Sequence, residues 1–258
     1  MSKIVAVHSW RGGTGKSTLV ARLGRLLAAR GFRVGLVDAG LQAPGLHEAL
    51  GVDAGMFRLC LWDYLSGACE IEEALLDLTG SVQPGTGRLF LVPARTEVEA
   101  VTLSVSSGRY DAGLLYEGFH RLVSVLDLDL LFVDTHSGAN HEAMHAIASS
   151  DIDLLVTRAG SSENRSATLA TRIAAQLGCQ PPEALLVVNM APTVSDPAVL
   201  RRRAEQAYRM PAAAILPRIA DDPQPGETGP AQEAFDSGVV QLAERILASG
   251  DAGSVRAG

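Results

Sequence analysis

Cysteine is scarce in this chain. Only Cys60, Cys69 and Cys179 occur, an odd number at wide spacing with no C-x-x-C pair. No disulfide framework is encoded, and reduced thiols in a cytosol are expected. Long apolar runs are missing as well: nothing approaches the roughly 18 consecutive apolar residues that cross a bilayer. The opening residues carry one lysine and a short apolar stretch before the sequence turns polar and glycine-rich at Ser9. That is too little for a secretory signal, so a cytoplasmic protein is expected. Positive charge is in the minority, with 22 Lys+Arg against 29 Asp+Glu and a net charge of −7. The balance excludes a chain that coats nucleic acid with its whole surface and leaves room for a local basic patch. Disorder is excluded by the opposite argument, because 47% of the 258 residues are apolar and 20% charged, enough to offset the ordering entropy.

Short β-branched or Leu-rich runs alternate with helical patterns, the signature of βαβ units. Strands are predicted at residues 3–8, 33–38, 88–92, 129–134, 152–157, 184–189 and 213–216. Helices are predicted at 17–30, 59–65, 71–76, 113–126, 142–149, 162–177, 197–208 and 231–248. Several strands are almost continuously apolar, as in Leu130-Leu131-Phe132-Val133 and Leu185-Leu186-Val187-Val188, which suits a parallel sheet covered on both faces. The first helix should end at Gly31 in a left-handed cap. The expected fold is therefore α/β, a twisted, mostly parallel sheet flanked by helices. One domain over residues 1–249 and a frayed tail over 250–258 are expected, with a Pro/Gly-rich loop at 221–230.

The strongest chemical signal is Arg11-Gly12-Gly13-Thr14-Gly15-Lys16-Ser17-Thr18, between the first strand and the first helix. Glycines let successive backbone N–H groups turn inward around a phosphate, and the helix adds the positive end of its dipole. Lys16 would lie on the β- and γ-phosphates and the Ser17 hydroxyl would take one Mg²⁺ position. The general P-loop pattern has glycine five residues before Gly15, where this chain has Trp10.

These residues resemble the deviant P-loop ATPases of the MinD/ParA group, whose loop, a deviant Walker A, reads Lys-Gly-Gly-x-Gly-Lys-Ser/Thr. The resemblance continues through Val34-Gly35-Leu36-Val37-Asp38, Gln42-Ala43-Pro44-Gly45-Leu46, Leu131-Phe132-Val133-Asp134-Thr135 and Val187-Val188-Asn189-Met190-Ala191-Pro192. It implies two subunits enclosing two ATP molecules, a homodimer that forms and dissolves with the nucleotide and positions chromosomes, division machinery or another cargo beside a protein adaptor or activator. The first lysine of the family loop reaches the partner's phosphates. Arg11 stands there and keeps the charge, as an arginine finger would, although its longer, planar head is not equivalent. Asp38 matches the acid near Mg²⁺ and Asp134 the acid of an Asp-x-x-x-Gly switch. Asn189 matches a position that hydrogen-bonds adenine. The family's second acid, which orients the attacking water, is replaced by Gly40. ATP and Mg²⁺ binding with slow hydrolysis is expected, and a non-hydrolysing adaptor or scaffold is the alternative. Gln42 and His136 are each either a substitute for the missing acid or simply a polar loop residue.

Weaker signals remain open. His141-Glu142-Ala143-Met144-His145 fits H-E-x-x-H, in which two histidines one turn apart bind zinc, so a zinc hydrolase is a distant alternative. Arg201, Arg202 and Arg203 form either a DNA-backbone patch or a solvated helix face. In the last predicted helix Phe235, Val239, Leu242 and Ile246 make one apolar stripe. Its surroundings are acidic, so packing on the sheet is expected and membrane binding is not. Trp62, Tyr64 and Leu65 read as the core face of a short helix.

Overall fold

Seven strands run parallel in one sheet, and a two-residue strand is added antiparallel at an edge. In the computed structural model, residues 2–82, 87–95, 112–138, 140–159, 183–193, 196–219 and 229–249 are described. The helix expected over 162–177, Cys179, most of the 221–230 loop and the 250–258 tail lie outside them. The strands are β1 (Lys3–His8), β2 (Arg33–Ala39), β3 (Leu76–Asp77), β4 (Arg88–Val92), β5 (Leu130–Thr135), β6 (Ile152–Arg158), β7 (Glu183–Ala191) and β8 (Ala212–Pro217). Their order across the sheet is β3-β4-β2-β5-β1-β6-β7-β8. The described helices are α1 (Lys16–Ala29), α2 (Leu46–Ala49), α3 (Leu61–Leu65), α4 (Ala112–Val125), α5 (His141–Ala148), α6 (Pro197–Tyr208) and α7 (Pro230–Ala248).

The continuous apolar runs are strands buried on both faces. Val5 and Val7 of β1 face a cluster made with α1 and α7, while Ile4 and Ala6 face a second cluster made with α4 and α5. On α1, Leu19, Leu23 and Leu27 recur at four-residue spacing and are completely buried. Truncation of any one to alanine costs about 2–5 kcal/mol. Gly31 follows the helix with φ 98°, the left-handed conformation expected of it. The stripe of Phe235, Val239, Leu242 and Ile246 is buried against the sheet, as expected.

Two predicted helices are corrected. Residues 71–76 form a 3₁₀ turn (Ile71–Ala74) followed by β3. Leu76 pairs with Leu91 there and covers backbone groups that β4 would otherwise present as a bare edge. The helix expected from residue 59 starts at Leu61, because Cys60 is extended and its N–H is held by the Asp63 carboxylate at 2.8 Å.

β1 lies inside the sheet, and the chain crosses to β2 on one side and later to β6 on the other. Open α/β sheets take ligands at the carboxyl ends of strands beside such a reversal. The ends of β1, β2, β5 and β7 carry His8, Asp38, Asp134 and Asn189.

Candidate functional site

The loop 9–15 leaves β1 and enters α1. Gly13 and Gly15 have φ of 69° and 83°, where a side chain is strained. Gly15 has a second reason to be glycine: a Cβ there would lie 2.5 Å from Asn189 Nδ2. That amide donates to the Thr14 carbonyl at 2.8 Å, and Asn189 Oδ1 accepts from the Met190 N–H at 2.8 Å. Asn189 thus braces the loop from the far end of β7. Met190 adopts φ 54°, an unusual conformation for a non-glycine residue that sites of function tolerate. Arg11, Gly12, Gly13 and Thr18 are exposed and Thr14 is buried. Trp10 packs beside the cluster of Leu155, Leu186 and Val188 and against the His8 ring, edge to face at 4.3 Å.

Asp38 and Asp134 are register partners on β2 and β5, both buried. Their surroundings differ. Asp38 accepts the N–H groups of Gly40, Gly45 and Leu46 at 3.0, 3.1 and 3.0 Å, so it shapes the 40–46 loop and starts α2. Burial raises its pKa and these three donors oppose the rise. Asp134 has one carboxylate oxygen, Oδ1, with no hydrogen-bond partner. Burial, and then the charge of Asp38, push its pKa up to about 7 against the Ser17 hydroxyl and Lys16. Burial lowers the Lys16 pKa, while Asp134 and Asp38 raise it. Two buried carboxylates beside one half-buried ammonium and one half-buried hydroxyl are short of positive charge. A hard, oxygen-seeking dication fits this set, through Asp134 and Ser17 more readily than through Asp38, whose oxygens already serve the loop.

Gly40 is buried, and a Cβ there would stand 3.0 Å from Asp38 Oδ1 and 3.4 Å from the Ala43 carbonyl. The two candidate substitutes differ in setting. Gln42 is exposed. The His136 ring Nδ1 lies 2.9 Å from the Ser137 carbonyl and 3.2 Å from Asn140 Nδ2, inside its own turn.

Sequence reasoning overlooked Ser9 and His8. Ser9 Oγ accepts from Lys16 Nζ at 3.0 Å, and its carbonyl accepts the Gly138 N–H at 2.8 Å. His8 is buried without a hydrogen-bond partner for either ring nitrogen, and burial, then Lys16, hold its pKa down to about 3. Only their place at the junction of strand and glycine loop could have drawn attention to them.

Within the arginine run the reading of Arg201 is corrected. Arg201 turns back to the Ala212 carbonyl and Glu205 accepts the Ala212 N–H at 3.0 Å, so these side chains dock α6 on β8. Arg202 and Arg203 are the exposed members. In the H-E-x-x-H segment, which lies on α5, the His141 side chain is outside the described residues. Among the described residues no group of three or more His, Cys, Asp or Glu is placed to hold a metal ion. Leu61, Tyr64 and Leu65 of α3 are buried with Trp62 half-buried beside them. No helix among the described residues is long and apolar enough to cross a membrane.

Residues 5–223 match CbiA, the CobQ/CobB/MinD/ParA nucleotide binding domain. The chain belongs to this family. Among curated relatives, a putative septum site-determining protein MinD of Guillardia theta is 31% identical over 157 residues, 61% of this chain and 53% of the relative. The antiactivator FleN of Pseudomonas aeruginosa is 29% identical over 154 residues, 60% of this chain and 50% of that protein. The chain spans about half the length of these relatives. The cell division ATPase MinD of Pyrococcus furiosus superposes with a TM-score of 0.72 at 26% identity, covering 96% of this chain and 99% of that one. Cobyrinic acid a,c-diamide synthase of Mycobacterium smegmatis, solved with an ATP analog and magnesium, has a TM-score of 0.74 at 19% identity over 96% and 97% of the two chains, a likeness of fold alone.

Proposed function

We propose that this domain binds ATP with Mg²⁺ in the 9–18 loop and that bound ATP joins two copies into a homodimer, a MinD/ParA-type switch that positions a cellular cargo and hydrolyses ATP slowly. The reading is carried by one juxtaposition: a glycine loop with left-handed turns at Gly13 and Gly15, opening on Lys16 and Ser17, beside a buried Asp134 with an unpartnered oxygen. That set answers to a polyphosphate and its cation at once. The N–H groups of Gly12, Gly13, Thr14, Gly15 and Lys16 would receive phosphate oxygens, Lys16 the β- and γ-phosphates, Ser17 and Asp134 the cation, and Thr18 the nearer phosphate end. Magnesium held there would supply positive charge to neutralise the polyphosphate. Asn189 Nδ2 gives one hydrogen to Thr14, and its second is left for the adenine edge. Arg11, exposed at the loop's leading edge, would reach the partner copy's phosphates. The names of the relatives, a septum-site protein and an antiactivator, support a spatial or regulatory role beside a protein partner.

A second reading is favoured by Gly40. It has no carboxylate, Gln42 is exposed and His136 is held in its own turn, so a nucleotide-binding adaptor that does not turn over is consistent with the same pocket. Phosphate release measured together with mass by light scattering, with ATP and with ADP, separates the two. Turnover abolished by Lys16→Ala supports the ATPase, an ATP-dependent dimer without turnover supports the adaptor, and no binding of ATP refutes both.

A further inference from the structure

We propose that Ser9 is a positioning residue that ties Lys16 to the limb carrying Arg11, so that a single hydroxyl sets both the cation acting within the subunit and the cation offered to its partner. The inference rests on the ATP-dimer reading above and names a control point within that site.

Ser9 is completely buried. Its hydroxyl donates to the Arg11 carbonyl at 2.6 Å and accepts from Lys16 Nζ at 3.0 Å. Chemistry leaves no freedom in this assignment. An ammonium only donates, so the Ser9 oxygen must accept from Lys16, and its one proton is left for Arg11. Geometry makes the arrangement consequential. Lys16 has two buried carboxylates in its electrostatic neighbourhood, Asp134 and Asp38, and Asp134 Oδ1 has no partner. An ammonium without another acceptor would close on that oxygen, withdrawing one cation from the phosphate and one ligand from the metal. Ser9 holds it on the loop side instead. The same proton that completes the hydroxyl's bonding fixes the peptide of Arg11, next to the flexible Gly12-Gly13 pair. The Ser9 carbonyl, receiving the Gly138 N–H at 2.8 Å, extends the tie to the loop after β5. The cis lysine, the arginine limb and the Asp134 loop therefore meet at one residue.

The test compares the wild-type chain with Ser9→Ala and Ser9→Cys, the latter of similar volume but a poor hydrogen-bonding partner. Titration calorimetry measures ATP and AMP affinity with magnesium at concentrations where the chain is monomeric, and light scattering measures assembly at saturating ATP. Both variants should bind ATP about tenfold more weakly, the weight of one charge-assisted hydrogen bond, and AMP, which has no β- or γ-phosphate, within about twofold of wild type. At saturating ATP they should need about tenfold more protein to dimerise. Unchanged ATP affinity, an equal loss for ATP and AMP, or dimerisation at wild-type concentrations would each overturn the proposal; the equal loss would mark Ser9 as a structural residue only. A wild-type chain that ignores ATP, or binds it without dimerising, refutes the underlying reading instead, before any variant is compared.

Discussion

Asp134→Asn should make the metal-free protein more stable at pH 8 while removing its response to magnesium. In the fold, burial and the neighbouring Asp38 raise the Asp134 pKa from 3.8 to about 7. A carboxyl group with a raised folded pKa favours the folded state fully below about pH 4, and that advantage is lost as pH rises through 7. Above pH 7 the ionised group therefore opposes folding by roughly the shift of about 3 units at 1.36 kcal/mol each, or about 4 kcal/mol. Asparagine removes the charge at constant shape and leaves a buried amide that is incompletely bonded, which costs about 1–3 kcal/mol. The net gain at pH 8 is on the order of 2 kcal/mol, or roughly 4–8 °C in Tm for a chain of this size. At pH 5 the gain should vanish: the folded group is protonated there but the unfolded one, at 3.8, is ionised, so only about 1.6 kcal/mol opposes folding, which the cost of the buried amide offsets. Asp153, also raised to about 7 by burial, is common to both proteins and cancels from the difference. Thermal unfolding followed by circular dichroism in EDTA at pH 5 and pH 8 measures it. A second series with ATP and Mg²⁺ should raise the wild-type Tm by linkage and leave the variant's nearly unmoved. A variant less stable than wild type at pH 8 without metal would refute the picture of Asp134 as a charge held ready for a cation.

Two further outcomes follow from the glycines. Gly15→Ala forces a left-handed alanine and drives its Cβ into Asn189 Nδ2, breaking the bond to Thr14. A loss of about 2–4 kcal/mol in a urea titration and of detectable ATP binding are expected, and wild-type values for both would contradict the bracing role of Asn189. Gly40→Asp supplies the missing acid next to Asp38, and ATP turnover should rise by about 10²–10⁴-fold if that carboxylate reaches the attacking water. Gly40→Ala controls for the tight approach to Asp38 Oδ1, and a Gly40→Asp variant that binds ATP at unchanged turnover would show that the acid's place is not at residue 40.

What could be read in advance was local or periodic. The 3.6-residue pattern placed α1 and α7, each of which must turn one apolar face to the sheet, and continuous apolar runs placed the strands that are covered on both faces. The phosphate loop was legible because its chemistry is carried by consecutive backbone groups, and Gly13, Gly15, Lys16 and Ser17 announce it without reference to the rest of the chain. Weak elements were not legible. The stretch at 71–77 has too few residues to choose between helix and strand, and the need to cover β4 decided it. Nor does a run of three arginines tell which of them faces a neighbour. Arg201 was misjudged because its partner, the Ala212 carbonyl, becomes unsatisfied only when β8 becomes an edge of the sheet.

The sequence by itself determined the α/β architecture, the glycine loop, and the presence of acids at the ends of β2 and β5, since each depends on residue type and spacing along the chain. Only the tertiary structure decided which acid is bound into its own loop and which keeps an open oxygen, that Asn189 braces Thr14 from 175 residues away, and that Ser9 joins Lys16 to Arg11. The physical reason is that a hydrogen bond or a buried charge is a property of two groups and the solvent excluded around them. Neighbours of that kind are chosen by how the strands order themselves in the sheet.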